Sequence, residues 1–285
     1  MRLILCRQAF VAYFGRVATH AALLLALCGG GMAHAADTYT FGVVPQFEQR
    51  MLFTIWKPII DELSKRTGLD LQLATALTLA EYERDLSSGR FDFVYVNPYH
   101  VVYLAQRQPY IPLVHDKIPL RGIVVVRKDS PVKSLAELNG KTLAIPSFNA
   151  LGASLMVRAD LDHLFKVKMK PVVVKTHSSV YLNVANGLTE AGGGVEKSLR
   201  QQDAAVQNLL RIIYTTRDLP SHPIAAHQRV PTEVREKLKR AILDLAATER
   251  GKALLAGVPM TEVVPTSFDE FLPMKKWGLD AYWVD

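Results

Sequence analysis

The chain has 285 residues, 49% hydrophobic and 21% charged, with two cysteines and a formal net charge of +7. This length suffices for a large core or two lobes. Its charges of both signs are interspersed, with no basic stripe among aromatics, which argues against nucleic acid as a partner.

The first 35 residues read as an export leader. Arg2, Arg7 and Arg16 give a positive start without an acid, AALLLAL at 21–27 is an apolar centre, and Ala33-His34-Ala35 is a small-x-small cleavage site. The apolar run is far shorter than the about 20 residues that span a bilayer, and no later run reaches that length. Cleavage after Ala35 and an exported, soluble protein are therefore expected. Lipid attachment at Cys28 is the alternative, disfavoured by the bulky Leu27 before it. Cys6 and Cys28 both lie in the leader, so the remaining 250 residues have no disulfide, thiolate nucleophile or thiolate metal ligand. Three of the seven net charges are leader arginines, leaving a mild +4 that helps attract small anions.

From residue 39 onward, short apolar runs alternate with amphipathic segments. Residues 39–44 read as a strand, 51–67 as a helix stopped by Gly68, 71–76 as a strand, 79–88 as a helix, 91–96 (FDFVYV) as a strand and 98–106 as a helix. This order predicts α/β architecture with mainly parallel sheets flanked by helices. Two extended runs within 110–127 then follow one another without a helix, the second long enough to enter another sheet. A new set begins: helix 134–138, strand 142–145, helix 151–164, strand 171–175, helix 178–186, strand 191–195, helix 196–207 and strand 210–215. Residues 218–223 read as a return crossing, and the chain from Pro231 onward as helical. Two crossings around a complete α/β unit predict two lobes: residues 36–123 with 221–285, and an inserted 124–220. Loops at the strand ends would line a cleft that closes over a small molecule.

Within the inserted lobe, residues 142–159, TLAIPSFNALGASLMVRA, run from a strand through a small-residue turn into a helix. Unpaired N–H groups and the positive dipole end at such a helix start make an anion site. Asn149 is placed to cap the helix, while Gly152 and Ala153 allow close approach to the backbone. An ordinary strand–helix connection is the plainer alternative.

Several motifs follow one another in order: Phe41-Gly42-Val43-Val44-Pro45-Gln46, Asp92-Phe93-Val94-Tyr95-Val96-Asn97-Pro98-Tyr99, Gly140-Lys141 after the 134–138 helix, Pro146-Ser147-Phe148-Asn149 and Ala191-Gly192-Gly193-Gly194-Val195. Over nearly the whole mature chain they resemble the phosphate/phosphite/phosphonate-binding (PhnD-like) solute receptors of ABC importers. The resemblance implies a two-lobed periplasmic receptor of the type II fold with two interlobe crossovers. It further implies no catalysis, no cofactor, and an inner-membrane permease as partner. The same fold could instead present its ligand to a membrane histidine kinase.

The resemblance also implies where the ligand binds. In the family, the turn equivalent to Ala150-Leu151-Gly152 carries hydroxyls that grip a phosphoryl group; here those positions are apolar or glycine, flanked by Ser147 and Ser154. His177 matches a family histidine that contacts the anion, and Tyr95 and Tyr99 fall in the segment supplying aromatic contacts. Gly192–Gly194 occupy what reads as a strand-end loop where relatives place polar or acidic groups, so an alkylamine on the ligand would lack its partner. Gln46 and Phe47 reach the cleft by topology. The expected ligand residues are thus Gln46, Phe47, Tyr95, Tyr99, Ser147, Asn149, Ala150, Leu151, Gly152, Ser154, His177 and Gly193. Loss of the hydroxyl run removes charge-assisted bonds worth about 1.5–3 kcal/mol each. Weaker phosphonate binding than in relatives, or a less polar ligand, is the expectation.

Enzymatic alternatives find little support. His222 and His227 lack the spacing of one helix face and any acidic neighbour, so they read as surface and hinge histidines. Ser154 with His177 would suggest a secreted hydrolase, but GASLM lacks the Gly-x-Ser-x-Gly elbow. No metal ligands are expected.

Overall fold

The computed structural model describes residues 37–258 and 260–284; the leader, its cleavage site and Cys28 lie outside them. One lobe is built from β1 (Thr38–Val43), α1 (Gln49–Thr67), β2 (Asp70–Thr75), α2 (Leu79–Ser87), β3 (Phe93–Tyr95), α3 (Pro98–Tyr103) and β4 (Tyr110–Asp116). The chain then crosses to β5 (Gly122–Arg127) and β6 (Thr142–Ile145). A π-helix (Leu151–Met156) runs directly into α4 (Val157–Phe165) and is followed by β7 (Lys170–Val173) and α5 (His177–Ala185). Next come β8 (Ala191–Val195), α6 (Glu196–Arg200), α7 (Ala204–Asn208) and β9 (Leu210–Thr215). The chain returns to the first sheet as β10 (Ile224–His227), continues through α8 (Thr232–Ala246), α9 (Glu249–Ala256) and β11 (Val263–Pro265), and ends in 3-10 turns.

The two sheets have strand orders β11-β4-β10-β3-β1-β2 and β7-β6-β8-β5-β9. Both are mixed. β1 pairs in parallel with β2 and β3, and β6 with β7 and β8, whereas β10, β11 and β5 run antiparallel to their neighbours. Of these, β5 and β10 are the strands by which the chain enters or re-enters a sheet after a crossing. The crossings themselves pair through reciprocal bonds between Leu120 and Leu219, each 2.9 Å.

Local chemistry explains the elements that frame the cleft. On α1, Leu52, Trp56, Ile59, Ile60 and Leu63 form one buried stripe, and Gly68, with φ 68°, ends the helix by donating to the Ser64 carbonyl. Trp56 packs against Phe41 and Tyr95, with ring centroids 5.6 and 4.9 Å apart. Asn97 caps α3 by accepting from the Tyr99 N–H, with Pro98 at the first helical position. Thr176 caps α5, its hydroxyl accepting from the Ser179 N–H.

Three expected elements differ. The helix expected over 196–207 is two short helices, because the Gln202 and Gln207 amides donate to the carbonyls of Ser198 and Gln202 (2.8 and 2.7 Å) and close off the first helix. The helical reading of the last residues gives way to 3-10 turns: Pro273 removes a donor, and Gly278 adopts φ 67°. β10, just past the expected crossing at 218–223, and β11, in the stretch expected to be helical, are only four and three residues long, and sheet pairing rather than local pattern makes them strands.

Gly192–Gly194 form the middle of β8, not a loop, and none has positive φ. The glycines serve close approach instead. The π-helix lies on the second sheet so tightly that a Cβ at Gly193 would sit 2.1 Å from the Ala153 carbonyl oxygen, and one at Gly122 would sit 2.1 Å from that of Gly152. Its first turn is widened, with the N–H groups of Ser154 and Leu155 both donating to the Ala150 carbonyl at 2.9 and 3.0 Å.

Candidate functional site

The cleft between the sheets contains two adjoining chambers of about 40 Å³ each. Gln46, Leu120, His177, Val195 and His222 line both. The first chamber lies at the start of the π-helix, bounded by Ser147, Ala150, Leu151, Gly152 and Ala153. N–H groups in a first helical turn have no intrahelical acceptor, so this chamber is walled by donors.

His177 opens α5 and is only 8% exposed. Its Nδ1 is buried without a hydrogen-bond partner. Burial alone pushes its pKa down to about 4, so at neutral pH the ring is uncharged. His222 stands opposite, stacked on Tyr95 at 5.4 Å, with its Nε2 3.1 Å from the Gln46 amide nitrogen. Since that amide nitrogen is a donor, His222 Nε2 accepts, and its proton is on Nδ1. Burial and then the nearby His177, His100 and Lys197 push its pKa down to about 3. The chamber thus has neutral imidazoles and helix N–H groups, with no carboxylate among its walls.

The second chamber extends toward the crossings. Asp116, at the end of β4 and 2% exposed, receives Lys197 Nζ at 2.5 Å from α6 of the other lobe. It also accepts from the backbone N–H groups of Glu262 (3.0 Å) and Ile118 (3.3 Å). Ser221 donates to the Asp116 carbonyl. Phe47, Tyr95, Leu120, Val195 and Met260 supply the apolar walls.

The structure brings Gln46, Phe47, Tyr95, Ser147, Ala150, Leu151, Gly152 and His177 to the cleft. Four other expected residues are engaged elsewhere. Tyr99 points to the C-terminal turns, its hydroxyl donating to Asp280 at 2.5 Å. The Ser154 hydroxyl is fully buried and accepts from Arg158 at 3.1 Å. Gly193 lies beneath the π-helix. Asn149 does not cap that helix: its Oδ1 accepts from the Val284 N–H (3.0 Å), and its Nδ2 donates to Val284 O (2.7 Å) and Glu83 (3.1 Å). Asn97 of the first lobe in turn donates to the Asn149 carbonyl at 3.1 Å. Tyr95 reaches the cleft with its ring face, since its hydroxyl donates to Val258 O at 3.3 Å.

Asn149 is therefore a clasp for the C-terminal segment. Asn149→Ala should cost about 2 kcal/mol and increase hydrogen exchange at residues 280–284, with the cleft chambers unaffected. Unchanged exchange there would refute the clasp.

Nor is His222 a surface residue. It lies in the cleft, and His227 is buried on β10 with Nε2 2.8 Å from Gln108. His222, Asp116, Lys197 and Ser221 were missed as site residues. All lie at a crossing or just past a strand end, and that position was the available signal.

Residues 41–271 match the family described as "ABC transporter, phosphonate, periplasmic substrate-binding protein". The structure is similar to a binding-protein component of an ABC phosphonate transporter from Pseudomonas aeruginosa (17% identity, 85% of each chain covered, TM-score 0.77). It is also similar to PhnD1 from Prochlorococcus marinus in complex with methylphosphonate (17% identity, 86% of this chain and 98% of that one, TM-score 0.77). A Xanthomonas citri protein bound to chloride superposes with a TM-score of 0.73 (18% identity, 86% and 98% covered). The fold is the two-lobed type II arrangement of periplasmic binding proteins.

Proposed function

Because the chain belongs to the family of periplasmic substrate-binding proteins of phosphonate ABC transporters, we propose that its first chamber holds the phosphorus oxyanion itself. The protein is a binding component and not an enzyme, and its partners are a small phosphonate-like ligand and a membrane permease. The oxyanion accepts from the N–H groups at the start of the π-helix and from Ser147, with His177 completing the ring of donors. Closure about the paired crossings at Leu120 and Leu219 carries His222 and Tyr95 of the first lobe over it.

The observation that carries this reading is the buried, unpartnered Nδ1 of His177 in a chamber bordered by a helix start. An unsatisfied buried polar atom costs about 1–3 kcal/mol, and an anion accepting from a protonated Nδ1 removes that penalty. The methylphosphonate in the Prochlorococcus relative is the same class of ligand. With no hydroxyl run at 150–152, the backbone and His177 carry more of the recognition here.

Calorimetric titration with methylphosphonate tests the assignment. His177→Gln should weaken binding by about tenfold to a hundredfold, the equivalent of a charge-assisted hydrogen bond. Equal affinity in the variant would remove His177 from the site.

A further inference from the structure

Each inner chamber is about 40 Å³, room for about three water-sized groups. An oxyanion head fills the first one, and a longer substituent has to leave it. In one direction lies the second chamber, equally small and crossed by the Lys197–Asp116 ion pair; an alkyl chain there would strip the remaining solvent from a partly buried charged pair. In the other direction lies an outer groove of about 600 Å³ that shares Pro45, Leu79, Pro146, Ser147 and Lys175 with the first chamber.

The groove is apolar on both banks. Phe47, Leu77 and Leu79 come from the first lobe, and Phe148, Val173 and Val174 from the second. Leu77 is 70% exposed and Val173 46%. Several polar groups of the groove are already engaged: Thr78 and Thr176 cap helices, Ser179 bonds Thr176, and Glu83 bonds His100 and Asn149. At the junction with the chamber, Lys175 adopts φ 74°, a left-handed conformation disfavoured for a residue other than glycine. The backbone at the chamber's exit is thus turned sharply, with an exposed lysine beside the path of an anionic headgroup.

We propose that the ligand is an organophosphonate with an apolar substituent, whose head occupies the first chamber and whose substituent runs past Lys175 into the outer groove. The inference rests on the assignment of the head to that chamber. It narrows the ligand class from any small phosphorus oxyanion to one with an apolar tail of about four to six carbons, since sites of this volume take whole organic ligands.

Calorimetric titration with methyl-, butyl- and hexylphosphonate tests it. Each methylene buried in the groove should tighten binding by about fourfold, the equivalent of ~0.8 kcal/mol. Leu77→Asn and Val173→Asn, exposed positions on different lobes and outside the head chamber, should each leave methylphosphonate affinity unchanged and cut the gain from the longer chains. Butyl- and hexylphosphonate binding no tighter than methylphosphonate would overturn the groove assignment alone, as would a gain that survives both variants. Failure of all three ligands to bind would overturn the head assignment together with it.

Discussion

Gly193→Ala is expected to destabilise the protein by about 3 kcal/mol or more, at the upper end of overpacking, and to lower the melting temperature by about 6–12 °C for a chain of this size. A side chain at this position meets backbone and not a movable neighbour: its Cβ would fall 2.1 Å from the Ala153 carbonyl oxygen. Relief requires lifting the π-helix from β8, which also displaces the donors of the first chamber. The effect should therefore appear in both denaturant midpoint and ligand affinity. Gly152→Ala is the comparison, because its new Cβ meets side-chain methyls at 3.3 and 3.4 Å and backbone no closer than 3.5 Å; it should change stability by less than about 1 kcal/mol. Equal stability of the two variants would mean that the helix is not seated through the glycine.

The second large effect is on acid stability. His177 and His222 are held neutral in the fold, at about 4 and about 3, whereas the unfolded chain protonates histidine near 6.5. Above that value both states are neutral and the two residues make no difference. As pH falls below it the unfolded state takes up protons that the folded state refuses, so stability drops until the folded values are reached. By pH 5 each histidine should have removed about 2 kcal/mol, at ~1.4 kcal/mol per pH unit. His115 and His227 shift in the same direction, chiefly through burial. Urea denaturation at pH 7.5, 6 and 5 should show this slope, and the double variant His177→Gln/His222→Gln should flatten much of it. An unaltered slope in the double variant would assign acid sensitivity to other groups.

Much of the fold is legible in the sequence because its strands and helices carry strong periods: the stripe from Leu52 to Leu63, the FDFVYV run and the strand–turn–helix at 142–159 all appear in the structure. What escapes is set by tertiary contact. Ile224–His227 is a strand through its pairing with β3 and β4, and Val263–Pro265 through its pairing with β4. The same distinction holds at the site. Gln46, Ser147 and His177 follow strand ends, which place them by topology, and they line the cleft. Asn149 and Tyr99 also lie near strand ends, yet both are drawn to the C-terminal turns by partners more than 100 residues away. Gly193 reads as part of a strand-end loop; the structure places it within β8, where its missing side chain admits the Ala153 carbonyl, and only the tertiary position of Ala153 reveals that partner.

Assignment of the first chamber to a phosphorus oxyanion is tested most directly by a thermal-shift screen of the mature protein against phosphate, phosphite, alkylphosphonates, sulfate and carboxylates. A ligand at 100 times its dissociation constant adds about 2.7 kcal/mol of stability, which for this length raises the melting temperature by about 5–10 °C. A rise of that size with an alkylphosphonate, absent with sulfate and carboxylates and cut to about half or less in His177→Gln, is the predicted result. No rise with any phosphorus oxyanion, or an equal rise in His177→Gln, would contradict the assignment.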